Sequence, residues 1–214
     1  MSSSTKNTPI NYIEATPTNI FKFISFLSPL FITFFIIIVS VFNNTTVKGL
    51  IFTVGLLITT FINCLLKNIL KEEQKSNASP VCNSMPFPFT IKNNNIIYSS
   101  PGLSSTILGY TASYLIFPMK INNQINAPLL VFMIALIGIN ATVELNSSCT
   151  SIGGILLGLI VGIILGILYY TIISVNGYKE LAYFSEVTSN KTLCNKPSKQ
   201  KFKCTTYRRG ERVN

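Results

Sequence analysis

The chain has 214 residues, 48% hydrophobic and only 11% charged, with a mean hydropathy of +0.47 and a net charge of +10. Soluble domains carry about 25% charged residues, so this balance excludes an ordinary water-soluble globule and points to a membrane protein. His, Asp and Trp are absent and the only Arg are Arg208, Arg209 and Arg212, which removes the usual general base near neutral pH and most carboxylate chemistry.

Residues 1–19 are rich in Ser, Thr and Asn, include Pro9 and Pro17, and are expected to form a polar N-terminal arm. The first apolar span is expected from Ile20 to Phe42. Its apolar core exceeds the roughly 7–15 residues of a cleavable signal, and Phe42–Thr46 contains no small-residue cleavage site, so it reads as a retained anchor. Pro29 is a candidate kink point. A second span, Val47 to Leu66, follows a very short turn and must run antiparallel to the first. The longest loop, Lys67 to Tyr98, carries Lys67, Lys71, Lys75, Lys92, Glu72 and Glu73.

A third span, Ser99 to Met119, is the least apolar, because Ser and Thr fill its first turns. The fourth runs from Ala127 to Val143, the loop Glu144–Ser151 follows, and the fifth runs from Ile152 to Val175. Each approaches the roughly 20 residues that cross a bilayer as a helix. The fold class expected is therefore all-α, a polytopic transmembrane helix bundle of about five spans. It divides into the arm 1–19, the helical domain 20–175 and a basic C-terminal tail 176–214.

In the fifth span Gly154, Gly158, Gly162 and Gly166 recur every fourth residue. That spacing lines them along one face, a strip against which another helix can pack closely. Helix packing is the plain reading; a pore or lipid-sensing role is the alternative.

Five spans put the two termini on opposite sides. Side one then holds the arm, the long loop and the loop before span five; side two holds the tail. More than half of the seventeen cations follow residue 178, so the positive-inside rule makes side two cytoplasmic. The four lysines of the long loop weigh against this.

This topology gathers three places on side one: the end of span two, the start of span three, and the segment between spans four and five. The stretch Tyr98-Ser-Ser-Pro-Gly-Leu-Ser-Ser-Thr106 opens span three. Lys67 closes span two, and Gly154-Ile-Leu-Leu-Gly158 opens span five. The arrangement resembles the type-2 phosphatidic acid phosphatase superfamily, whose three motifs occupy those positions. Gly102 matches the Gly of its Pro-Ser-Gly-His motif and the Ser104–Ser105 pair the small hydroxyl residues that follow it, but Leu103 stands at the nucleophilic His. Lys67 matches the first motif's Lys, while Gln74 and Lys75 stand at its Arg and Pro. In the third motif Asn140, Asn146 and Thr150 stand at the Arg, His and Asp.

The resemblance implies phosphoryl transfer through a phospho-histidine, with cations neutralising the equatorial oxygens. A chain without His cannot perform it, so the resemblance implies a pseudo-enzyme without catalytic residues, cofactor or metal. Helix-start amides hold phosphate even without catalytic groups. Lys67, Gly102, Ser104 and Ser105 are thus a candidate vestigial anion site, beside the plainer reading of a helix start rich in small residues. Degenerate chains of this Asn/Ile/Lys-rich composition resemble membrane components of large DNA viruses, which implies a virion inner membrane.

Cys82 and Cys149 both fall on side one. A disulfide is expected between them if that side is lumenal or extracellular, and free thiols if it is cytosolic. Cys64 lies in span two as packing, and Cys194 with Cys204 falls short of a four-ligand zinc site. The tail cluster Lys196, Lys199, Lys201, Lys203, Arg208 and Arg209 is suited to anionic lipid head groups or to a coat or capsid protein. Nucleic acid is the least favoured partner, and a solvated tail is the plain alternative. The function expected is a non-catalytic structural or scaffolding membrane protein. Alternatives are an active lipid phosphatase or phosphotransferase, and a transporter or channel subunit built on Asn63, Asn140 and Glu144.

Overall fold

The computed structural model describes residues 16–79, 82, 92–93, 96–178, 181, 206–208 and 211–213. The described residues form five helices: α1 (Pro17–Phe42), α2 (Thr46–Leu70), α3 (Leu103–Ile121), α4 (Ala127–Asn146) and α5 (Ile152–Val175). Two tiny hairpins accompany them, β1 (Lys92–Asn93) with β2 (Ile96–Ile97), and β3 (Thr206–Arg208) with β4 (Glu211–Val213). The fold is a multi-pass helical bundle. Helices α1, α2, α4 and α5, of 26, 25, 20 and 24 residues, are each long and apolar enough to cross a membrane. Their outward faces expose Phe31, Phe34, Phe35, Leu57, Phe61, Val131, Ile134, Ile160 and Ile172, surface that hydrocarbon, not water, must cover.

Helix α1 starts at Pro17, inside the expected arm, with Thr16 Oγ1 accepting from the Asn19 amide at 3.3 Å. Proline suits a first helical turn, where its missing N–H is not needed. Deeper in α1, Pro29 leaves the Ser25 carbonyl without its backbone donor. Ser28 Oγ donates to that carbonyl at 2.7 Å, and Asn140 Nδ2 reaches it from α4 at 3.1 Å. Asn140, 1% exposed, therefore ties α4 to α1 at the proline. Replacing Asn140 by Leu removes one of the two donors to this carbonyl, leaving that of Ser28, and should cost about 0.5–1.5 kcal/mol. In a Pro29→Ala background, where a backbone N–H returns, the same change should cost much less. Denaturant titration in detergent micelles measures both; equal costs would refute the proline account.

The α1–α2 turn is closed by the Thr45 amide donating to Ser40 O at 2.8 Å, with Asn44 at φ 55°. Ser40 Oγ donates to Thr45 O and accepts from the Gly49 amide at 2.9 Å. Lys71, at φ 49°, ends α2 by donating its amide to Lys67 O. The chain beyond pairs with the approach to α3: Gln74 N donates to Ile97 O and Ser99 N to Glu72 O, both at 2.9 Å.

Helix α3 is the centre of the bundle. It touches all four other helices, most extensively α5, and every residue from Ser105 to Leu115 is buried. Its 19 residues rise about 28 Å at 1.5 Å each, close to the roughly 30 Å of a hydrocarbon core. Its low apolar content follows from its place. Hydroxyls that would be costly against lipid are satisfied inside protein, as where Thr106 Oγ1 donates to Gly102 O and Thr111 Oγ1 to Ile107 O, both at 2.8 Å.

The glycines of α5 lie on the face turned to α3. A Cβ at Gly162 would stand 2.2 Å from Thr106 O and 2.8 Å from Tyr110 N, and one at Gly158 2.6 Å from Gly102 O. Gly109 returns the approach from α3, where a Cβ would meet Leu159 O at 2.7 Å. Toward side two the core is aromatic: Phe52, Tyr110, Tyr114 and Tyr170 are buried together, and Tyr110 and Tyr114 stack at 5.7 Å. Tyr110 OH donates to Phe52 O at 3.1 Å, so its polar end has a partner.

Candidate functional site

The polar end of the bundle lies where α2 ends, α3 begins and α4 ends. All three boundaries differ from expectation, and α3 begins at Leu103 instead of Ser99. Helix α2 continues to Leu70, so Lys67 is a helical residue one turn beyond Asn63. Helix α4 continues to Asn146, which puts Glu144 inside the helix instead of the loop. Glu144 is 2% exposed. An apolar run ends where its composition changes, whereas a helix continues as long as its polar residues find partners.

Glu144 finds them in the opening turn of α3. Ser104 Oγ donates to Glu144 Oε1, and Ser105 Oγ donates to Oε2 at 3.3 Å. Gly102, the α3 N-cap, has no side chain and makes no capping bond. The carboxylate stands in the space that a side chain there would enter: a Cβ on Gly102 would lie 3.3 Å from Oε2. Glu144 thus sits at the positive end of the α3 dipole, and Lys67, half-buried, interacts with it electrostatically.

Asn63 extends the cluster. Fully buried, it donates from Nδ2 to Thr106 Oγ1 at 2.8 Å and to Pro101 O at 3.4 Å. Its Oδ1 has no hydrogen-bond partner, nor does Ser147 Oγ. The Gly102 amide donates to Gly154 O at 2.9 Å and joins the start of α3 to the start of α5. The Ser100–Pro101 peptide is cis, and Pro101 precedes α3 rather than opening it.

The predicted anion-site residues Lys67, Gly102, Ser104 and Ser105 therefore do meet, but around Glu144. The Ser104 and Ser105 hydroxyls are directed to its carboxyl group. Of the third-motif positions, Asn140 is spent on α1, Asn146 is exposed, and Thr150 packs its methyl near Gly154. Cys82 and Cys149 form a disulfide between the long loop and the α4–α5 turn. Cys64 is buried. Among the described residues no three His, Cys, Asp or Glu side chains gather as metal ligands. Of the tail cluster, Lys196, Lys199, Lys201, Lys203 and Arg209 lie outside the described residues, and Arg208 falls in β3.

The residue that sequence reasoning undervalued is Glu144. The sequence places it at the start of a loop, whereas in the structure it lies within α4 and receives both serine hydroxyls of the α3 start. The available signal was its isolation, since an ionisable residue next to apolar sequence is a functional or structural centre by default.

No family model matches the chain, and no curated protein or solved structure matches it.

Proposed function

We propose that this chain is a non-catalytic integral membrane protein with a structural or scaffolding role, its basic tail contacting anionic head groups or a coat protein on side two. The observation that carries this reading is the occupant of the polar site. The Ser104 and Ser105 hydroxyls that would have to receive a phosphate are engaged by Glu144, and the Gly102 amide donates to Gly154 O. Leu103 offers no lone pair at the position where a phosphatase-like nucleophile belongs. On this reading the resemblance to the type-2 phosphatidic acid phosphatases reflects a degenerate relative, with a virion inner membrane as the proposed location. The Cys82–Cys149 disulfide supports an oxidising compartment on side one, in keeping with the basic tail facing the cytoplasm.

Two measurements test the proposal. Purified protein mixed with phosphatidic acid vesicles should release no phosphate above the protein-free blank. Turnover abolished in Ser104→Ala and Lys67→Ala would overturn the reading. Cross-linking mass spectrometry in the native membrane should connect tail lysines to a coat or capsid protein; links to lipid alone would argue against a scaffold.

A second reading, transport, draws on one observation. Asn63, Asn140 and Glu144 are all buried within helices of the bundle, as expected of groups lining an ion path. Proton or ion flux in reconstituted vesicles, lost in Glu144→Gln, would favour it over scaffolding.

A further inference from the structure

The glycine face of α5 ends at Gly166. The next position in its four-residue series is Tyr170, which is buried with its ring edge-on to Tyr114 at 6.2 Å and to Phe117 at 5.8 Å. From there to side two a ring, and not bare backbone, sets the distance between α5 and α3. The neighbouring Tyr169 faces α2. Its ring fills the space over Gly55, where a Cβ would stand 2.4 Å from Tyr169 Cε1, and its hydroxyl donates to Ile51 O at 2.9 Å. Beyond this strut, toward side two, α2 and α5 leave a cavity of about 420 Å³ between them. Pockets of roughly 300–1,000 Å³ are the size that holds small ligands.

The cavity is apolar within and polar at its mouth. Ile51, Ile172, Ile173 and the Tyr169 ring line the inner part, whereas Asn176 and Tyr178, both exposed, lie past the end of α5. That order of polarity matches an amphiphile standing in the side-two leaflet. Leu50 and Val54 on α2 and Leu168 on α5 are exposed at neighbouring levels, so the molecules that reach the cavity from the side are lipids.

Charge selects among them. Lys48, Ile51, Phe52 and Gly55 are spaced i, i+3, i+4 and i+7, so they share one face of α2. Phe52 and Gly55 meet Tyr110 from that face, which directs it inward. Lys48, half-buried, therefore stands one turn nearer side two than Ile51, about 4.5 Å along the helix, toward the mouth of the cavity. Among the described residues at the side-two ends of the helices, the charged side chains are Lys48 and Lys120, and none is acidic. Cations at that depth favour anionic head groups.

We propose that this cavity seats one phospholipid with an anionic head group, an acyl chain lying against Ile51, Ile172 and Ile173 and the phosphate meeting Lys48 and Tyr178. The cavity holds part of the molecule, and the remaining chain length joins the bilayer. The site is separate from the basic tail, and its test does not depend on what the tail contacts.

The chain contains no Trp, so a single introduced Trp reports its own surroundings. Ile172→Trp places that reporter at the edge of the cavity, and Ile134→Trp places it on the lipid-facing side of α4, both at exposed positions. Each full-length variant is reconstituted in phosphatidylcholine vesicles, and quenching by brominated phosphatidylglycerol is compared with quenching by brominated phosphatidylcholine. At Ile172→Trp the anionic lipid should compete about fivefold better, the gain expected from one lysine near the membrane surface. At Ile134→Trp the two lipids should quench alike. Adding Lys48→Gln should abolish the preference at the cavity. Equal quenching by both lipids at Ile172→Trp overturns the site. So does a preference that survives Lys48→Gln, which assigns the lipid to the basic tail. Native mass spectrometry of the unsubstituted protein keeps the test decisive if the new Trp fills the cavity. From detergent containing both lipids, one phosphatidylglycerol should be retained over phosphatidylcholine, and equal retention overturns the proposal.

Discussion

Gly162→Ala, a change of one methyl group, should destabilise the bundle by on the order of 3 kcal/mol or more, at the upper end of overpacking. The new Cβ would stand 2.2 Å from Thr106 O and 2.8 Å from Tyr110 N. Both are backbone atoms of α3, so no side chain can rotate away and the whole helix must retreat. Retreat breaks the most extensive contact in the bundle and disturbs the Gly102–Gly154 hydrogen bond at its end. Gly138→Ala on α4 is the control. Nothing lies within 4 Å of a Cβ there, and alanine's better helix propensity should leave stability unchanged or raised by up to about 1 kcal/mol. Unfolding of both variants in mixed micelles, followed by circular dichroism, checks the pair. Equal stability of the two would refute α3–α5 contact as the basis of the fold.

Glu144→Ala is expected to be the other severe change. Removing a buried side chain that accepts two hydrogen bonds costs about 2–5 kcal/mol, from the cavity and the hydroxyls left without an acceptor. Here the Ser104 and Ser105 hydroxyls lose their acceptor and the buried side chain leaves a cavity at the start of α3. Glu144→Gln should cost less, since an amide oxygen still accepts from one serine. The informative variant is Glu144→Gln with Lys67→Met. If Lys67 balances the carboxylate, the double variant should be more stable than the sum of the two losses by about 1 kcal/mol or more. Strict additivity would show that Lys67 resides in the head-group layer and takes no part in holding Glu144.

The readable part of this protein was its apolar sequence. The expected spans at Ile20–Phe42, Val47–Leu66, Ala127–Val143 and Ile152–Val175 match α1, α2, α4 and α5, with ends differing by at most a few residues. Such runs are legible because a membrane helix must satisfy its backbone internally and present hydrocarbon to lipid. The ends moved where polar residues were involved. Helix α2 carries Lys67 and α4 carries Glu144, and each is retained because a partner waits on another helix. At α3 the expected start, Ser99, precedes the helix, which begins at Leu103 after Gly102. Its weak apolar signal marked a helix enclosed by the other four, a distinction that hydropathy does not make.

By itself the sequence determined the class of molecule, the number of helices and the absence of histidine chemistry, since these depend on composition and on local runs. The small-residue stretch before α3 and the lysine closing α2 were also evident as a pattern. Only the tertiary structure decided what that pattern holds. Glu144 is 39 and 40 residues from the serines that bind it, and no local rule predicts which helix end will receive a carboxylate. Placement of α3 at the centre, through the glycine face of α5, brings them together. The site's occupant is a consequence of packing.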